Sequence, residues 1–200
     1  MQHRSRHLLV ATDIFGATAA LRSALAQLQS ASAEIQLQIS LCQPDSCDTD
    51  QFVFTDDQLA YQAFLRHGGL DRYQSQVATM LEQHQPDLVL GFSAGAAALW
   101  SALSTAKPPV TAATALLCYG GQIRQYHHVA PGGPVTCLWS DEKHFDVVAL
   151  QQQLSQYHNL QQRHWPLPHG FINPHSAGFD ALAAAEFWRR CQAWLHGETF

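Results

Sequence analysis

The sequence predicts a single α/β domain, with a mostly parallel sheet of about six strands and helices on both faces. Three observations predict it. Strand-like apolar runs alternate with helix-period segments from end to end of the chain. The segments joining successive strands read as helical crossovers, which is how parallel strands connect. The length of 200 residues suits one domain with a single core, and no linker, repeat or low-complexity stretch divides it.

His7-Leu8-Leu9-Val10-Ala11-Thr12 is the first strand, ended by Asp13-Ile14-Phe15-Gly16. Leu21, Leu25 and Leu28 recur at helical spacing in a segment that opens around Thr18. Ile35, Leu37, Ile39 and Leu41 then alternate with polar residues, the pattern of a half-buried strand near a sheet edge. Gln43 to Asp57, with Phe52, Val53 and Phe54, reads as a loop on the rim of the site. Leu59 to His84 is helical, broken at Gly68-Gly69, with an apolar stripe of Tyr73, Val77, Met80 and Leu81. The run Leu88-Val89-Leu90 leads through Gly91-Phe92-Ser93-Ala94-Gly95 into a small-residue helix that reaches Ser104, before Lys107-Pro108-Pro109.

Val110 to Tyr119 and Pro134 to Trp139 are the next strands, separated by a polar loop from Gln122 to Gly133 that carries Tyr126, His127 and His128. Ser140 to Asp146 loops into a helix with Val147, Val148, Leu150 and Leu154. Leu160 to Trp165 is the last strand, and Pro166-Leu167-Pro168-His169-Gly170-Phe171 is a loop stiffened by its prolines. The closing helix, Ala177 to His196, is expected to bury Leu182, Phe187, Cys191, Trp194 and Leu195.

Low charge density narrows the partners. Charged residues make up 14% of the chain, the net charge is -5, and the only lysines are Lys107 and Lys143, so nothing tracks a phosphate backbone and nucleic acid is excluded. No apolar run reaches the roughly 18 residues of a membrane span. Met1 to His7 runs straight into the first strand with no small-residue cleavage site, so no secretory signal is expected. The five cysteines lack C-x-x-C spacing, and Cys118 and Cys137, inside apolar runs, read as small buried hydrophobes. Free thiols without a signal point to the cytoplasm. The histidines contain no H-E-x-x-H, and the adjacent His127 and His128 would face opposite sides of a strand, so neither a metal nor another cofactor is expected.

The chemistry centres on Gly91-Phe92-Ser93-Ala94-Gly95. A tight strand-to-helix turn lifts its serine to the tip, and the glycines are needed because a side chain at either position would collide across the turn. Ser93 is therefore the candidate nucleophile; its competing role is that of a plain helix N-cap. The other candidates also follow strands: Asp13-Ile14 the first, Asp141 or Glu142 the fifth, and His169 the sixth. Ligands of parallel sheets bind beyond the strands' carboxyl ends, so all converge on one rim. Serine, then carboxylate, then histidine is the order that accompanies a Gly-x-Ser-x-Gly elbow.

With these residues the chain resembles the dienelactone hydrolase family of small α/β-hydrolases over nearly its whole length. Asp13-Ile14-Phe15-Gly16 is similar to the family's acidic-Ile-Phe-Gly turn, Gly91 to Gly95 matches the elbow, Asp141 to Phe145 falls at the acid loop, and His169-Gly170-Phe171-Ile172-Asn173-Pro174 is similar to the His-Gly-Phe segment. Two departures stand out. Serine replaces the cysteine of the namesake enzymes at the elbow, and Lys143 occupies the position, about four residues past the fifth strand, where the family usually has its aspartate. Glu142 is favoured as the acid, Asp141 next and Asp146 third.

The resemblance implies a small α/β-hydrolase without a large lid, acting on small esters, thioesters or lactones. Acyl transfer would use His169 as general base for Ser93, a carboxylate to orient the imidazole, and the backbone N–H groups of Ile14 and Ala94 as the oxyanion hole. The resemblance places Asp13 near the site as an orienting or binding group, while Phe15, Phe92, Tyr119 and Phe171 are expected to shape the substrate pocket. A catalytically inactive binding or regulatory protein, motivated by Lys143, and an acyltransferase on the same triad are the competing readings. Oligomeric state stays open, since helices that cover a sheet look like helices that form dimers.

Overall fold

The apolar runs pair as one parallel sheet: β1 (Arg4–Ala11), β2 (Ile35–Cys42), β3 (Leu88–Phe92), β4 (Thr114–Cys118), β5 (Val135–Asp141) and β6 (Leu160–Pro168), in the order β2-β1-β3-β4-β5-β6. The computed structural model describes residues 4–32, 34–47, 54, 56–105 and 113–200. Burial follows position in the sheet. Every residue of central β3 is buried, whereas β2 and β6 at the edges alternate between more and less exposed residues.

The crossovers are α1 (Ala19–Ala31), α2 (Asp57–Arg66) with α3 (Gly69–His84), α4 (Ala94–Thr105) and α5 (Val147–Leu154), and α6 (Ala181–Leu195) closes the chain. Leu25 and Leu28 of α1 and Phe187, Cys191 and Trp194 of α6 pack on one face of the sheet with Leu8, Val10 and Leu90. On the other face Tyr73, Val77 and Leu81 of α3 and the Ala96–Leu99 stretch of α4 pack on Leu9, Val89 and Leu117. Thr18 caps α1, its hydroxyl accepting from the Leu21 N–H, and Asp180 caps α6 by accepting from Ala183. Gly68, at φ 90°, makes the break between α2 and α3 that its sequence position predicts.

Several expectations are corrected. Pro166-Leu167-Pro168 continues β6 instead of forming a loop, because an edge strand leaves one row of N–H groups unpaired and tolerates proline. β5 likewise runs two residues further than expected, through Asp141. The closing helix starts at Ala181 and not at Ala177, and Leu182, expected in the core, is 85% exposed because it lies off the stripe of Ala184, Phe187 and Cys191. The rim loop contains a 3₁₀ turn at Asp45–Cys47. Phe52 and Val53 in that loop, Lys107-Pro108-Pro109, and Val110 at the start of the fourth expected strand lie outside the described residues. No helix among the described residues is long and apolar enough to cross a membrane.

Candidate active site

The strand order reverses between β1 and β3: the chain leaves β1 toward β2 on one side and returns to β3 on the other. Loops diverge at such a switch point and open a crevice beyond the strand ends. Asp13 and Ile14 leave β1 on one side of it and Ser93 leaves β3 on the other. The approach is close, since a Cβ on Gly95 would fall on the carbonyl oxygens of Ala11 and Thr12, and one on Gly91 would lie 2.7 Å from the Ala96 Cα. Only glycine lets the first turn of α4 rest on the end of β1.

Ser93 sits at φ 50°, a left-handed conformation that costs a non-glycine residue about 1–3 kcal/mol, in place of the extended backbone typical of a serine N-cap. Its backbone is held by bonds from its N–H to the Cys118 carbonyl at 2.9 Å and from the Ala97 N–H to its own carbonyl at 3.1 Å. The side chain turns away from the helix, placing Oγ 2.9 Å from His169 Nε2. His169 Nδ1 lies 2.7 Å from Glu142 Oε1, and the same oxygen accepts from the Ser140 hydroxyl at 2.9 Å. A carboxylate only accepts, so Nδ1 carries the proton, Nε2 is the acceptor and the Ser93 hydroxyl donates to it. The side chain of Glu142 is 10% exposed and that of His169 40%, so the pair is sheltered at the carboxylate and open at the imidazole.

Sheet register decides which carboxylate arrives. Beyond Trp139, paired with His164, the β5–β6 register shifts so that Asp141 pairs with Pro168. Glu142 then emerges beside His169. Asp141 does not join it: it is 60% exposed and pairs with His164 Nε2 at 2.9 Å. Asp146 is also elsewhere, capping α5 through the Ala149 N–H at 3.0 Å, and Lys143 is exposed.

Asp13 is buried and works on the loop that carries Ile14. Its carboxylate accepts from the Phe15 N–H at 3.0 Å and from Asn173 Nδ2 at 2.7 Å, tying the turn after β1 to the loop after His169. Burial pushes its carboxyl above the usual range, against the opposing pull of the Asn173 amide, the Phe15 N–H and the nearby His169. Among the described residues no acceptor takes the Ile14 N–H or the Ala94 N–H, the latter at the unpaired N-terminus of α4. Behind the turn the buried Tyr73 hydroxyl lies 2.9 Å from the Thr12 carbonyl and 2.8 Å from that of Cys42, fixing the ends of β1 and β2.

Of the residues expected to shape the pocket, Asp13, Phe92 and Tyr119 line a cleft beside Ser93 and His169. Phe171 does not. It is fully buried, packed between the rings of Tyr119 at 5.6 Å and Trp165 at 5.5 Å, because the Gly170 turn directs it into the core. Phe15 also stays out of the cleft wall, stacked on His175 at 6.1 Å. Sequence reasoning missed Ser140, Asn173 and the Leu21–Ala24 face of α1. Asn173 had a visible signal, its place in the His-Gly-Phe segment; Ser140 had none.

Cys118 and Cys137 are buried, with thiols that burial holds well above the usual range. Among the described residues no three His, Cys, Asp or Glu side chains cluster as metal ligands would.

No protein-family model matches the sequence, and no curated protein matches it. Solved structures do. A candidate dienelactone hydrolase from Klebsiella pneumoniae aligns over 99% of this chain and 89% of its own, with a TM-score of 0.70 and 15% identity. A dienelactone hydrolase-like promiscuous phosphotriesterase from metagenomic libraries aligns over 98% of this chain and 87% of its own, with a TM-score of 0.61 and 17% identity. Dienelactone hydrolase from Anabaena variabilis aligns over 98% and 88%, with a TM-score of 0.58 and 15% identity. The likeness is one of fold: this chain has the α/β-hydrolase architecture of dienelactone hydrolase-like proteins.

Proposed function

We propose that the chain is a serine hydrolase of the dienelactone hydrolase family that cleaves small esters, thioesters or lactones through an acyl-enzyme. The carrying observation is the continuous relay from Ser93 Oγ to His169 Nε2 at 2.9 Å and from His169 Nδ1 to Glu142 at 2.7 Å, with the serine on a strained elbow. The dienelactone hydrolase-like proteins that share the fold support the same reading.

In this mechanism His169 Nε2 takes the Ser93 proton as Oγ attacks the acyl carbon. Glu142 stabilises the imidazolium, and Ser140 holds the carboxylate in place. The oxyanion accepts from the N–H groups of Ile14 and Ala94, donors that no acceptor among the described residues occupies. His169 then gives its proton to the departing alcohol or thiol. Water, activated by the same nitrogen, attacks the acyl carbon and restores Ser93. Asp13 positions the Ile14 donor from behind.

Glu142 against His169 supports an active protein over an inactive one despite the lysine at position 143. Buried free thiols at Cys118, Cys137 and Cys191 support a cytoplasmic location, and a net charge of -5 supports a small-molecule substrate over nucleic acid. A serine-directed fluorophosphonate tests the reading. Labelling of the folded protein that disappears in Ser93→Ala is expected; no labelling, or labelling unchanged by that substitution, refutes it.

A further inference from the structure

A cleft of about 190 Å³ opens between the N-terminal halves of α1 and α6, on the sheet face opposite α4. Leu21 and Ala24 form one wall, Ala184 and Trp188 the other, and Phe92 lies between them, 6.1 Å from the Trp188 ring. Among the described residues no lysine, arginine or histidine lines it. Its walls include neither Ser93 nor His169, yet their immediate neighbours belong to it. Phe92 precedes Ser93, and Tyr119 meets the His169 ring edge-on at 5.1 Å.

Two features tie the cleft to a ligand. Asp13, Tyr119 and Asn173 give it a polar end, next to the turn that carries Ile14. There the Tyr119 hydroxyl is buried and has no hydrogen-bond partner among the described residues, an arrangement folded proteins avoid unless something else supplies the partner. Tyr119 itself is held at φ 41°, a second strained residue beside Ser93.

Resting on the proposed hydrolase, we propose that this cleft is the acyl subsite. It takes a neutral apolar acyl group the size of one aromatic ring or a chain of about six carbons, with the buried Tyr119 hydroxyl at its polar end. The size follows from volume: an apolar cavity of about 150 Å³ admits benzene. The side follows from the mechanism. His169 must protonate the leaving group, so that group lies on the exposed side of the imidazole. The acyl group lies on the Ile14 side, where the cleft begins. The absence of a cation from the walls disfavours acyl groups bearing a carboxylate.

The test is a series of p-nitrophenyl esters from acetate to octanoate, with the wild type, Ala24→Phe and Leu21→Ala. Expected is a preference in kcat/KM for hexanoate over acetate of about tenfold or more, which Ala24→Phe reduces about tenfold and Leu21→Ala moves toward octanoate. Opposite shifts from filling and enlarging one wall are not what general destabilisation produces. Selectivity that is flat across the series, or the same in both variants, overturns the subsite. If no ester in the series is cleaved, the hydrolase reading fails separately, and the cleft is judged by ¹⁹F NMR with fluorobenzene on Ser93→Ala. Saturable binding lost when Ala24→Phe is added supports it, and no binding overturns it.

Discussion

Replacing Glu142 with glutamine removes one charge while keeping an acceptor for His169 Nδ1 and for the Ser140 hydroxyl. In the proposed mechanism the cost falls on the imidazolium that forms as Ser93 attacks. Unit charges about 4 Å apart interact by about 4 kcal/mol at the effective dielectric of a protein surface. With the His169 side chain 40% exposed, about 2–4 kcal/mol is a realistic range, a loss of about 30- to 1000-fold in kcat. Asp141→Asn is the matched control one residue away. Its partner is His164 and its side chain is 60% exposed, so that pair is worth about 1 kcal/mol or less and kcat should change by about fivefold at most. Initial rates on p-nitrophenyl acetate, with thermal melts to check folding, separate the two. Equal losses in both variants, or a folded Glu142→Gln enzyme with near wild-type kcat, would refute the assignment of Glu142.

Three further outcomes follow from the packing around the site. Gly95→Ala places a methyl against the Ala11 and Thr12 carbonyls; overpacking of about 3 kcal/mol should lower Tm by about 10 °C, read by circular dichroism. Tyr73→Phe removes the hydroxyl that bridges the Thr12 and Cys42 carbonyls and should cost about 1–2 kcal/mol in urea unfolding, whereas Tyr119→Phe, which removes an unpaired hydroxyl, should leave stability within about 0.5 kcal/mol. Because burial raises the Asp13 carboxyl above 3.8, the native state holds that proton more tightly than the unfolded chain does. Its contribution to stability is present below that value and is lost as pH rises through the folded pKa. The stability of wild type relative to Asp13→Asn should therefore decline over that interval, and a difference that rises with pH would contradict the burial argument.

Legibility in the sequence followed the range of the interactions involved. The alternation of Ile35, Leu37 and Ile39 and the break at Gly68 are local patterns, and both were readable because period and backbone freedom act within a few residues. The proline-bearing end of β6 was misread because only its place at the sheet edge excuses the missing N–H, and edge position is a property of the whole topology. Leu182 was misplaced by extending the helix one turn too early, which hid the phase of its apolar stripe. Asp141 and Glu142 are adjacent and chemically alike; a register shift between two strands separates them, and no feature of the loop records it. The cleft was invisible because Ala24 and Ala184 are ordinary helix residues until the two helices pack side by side.

The placement of His169 has a consequence for how the proposed activity would be lost. Ser93 stands at the end of the most deeply buried strand, whereas His169 follows an edge strand with one neighbour and alternately exposed side chains. Opening free energies within a fold range from near zero at its margins to the global value at its centre. The two halves of the relay therefore belong to regions of unequal local stability. Amides of β6 should exchange with deuterium before those of β3, and fluctuations at the sheet margin would interrupt the relay while the core that presents Ser93 stays folded.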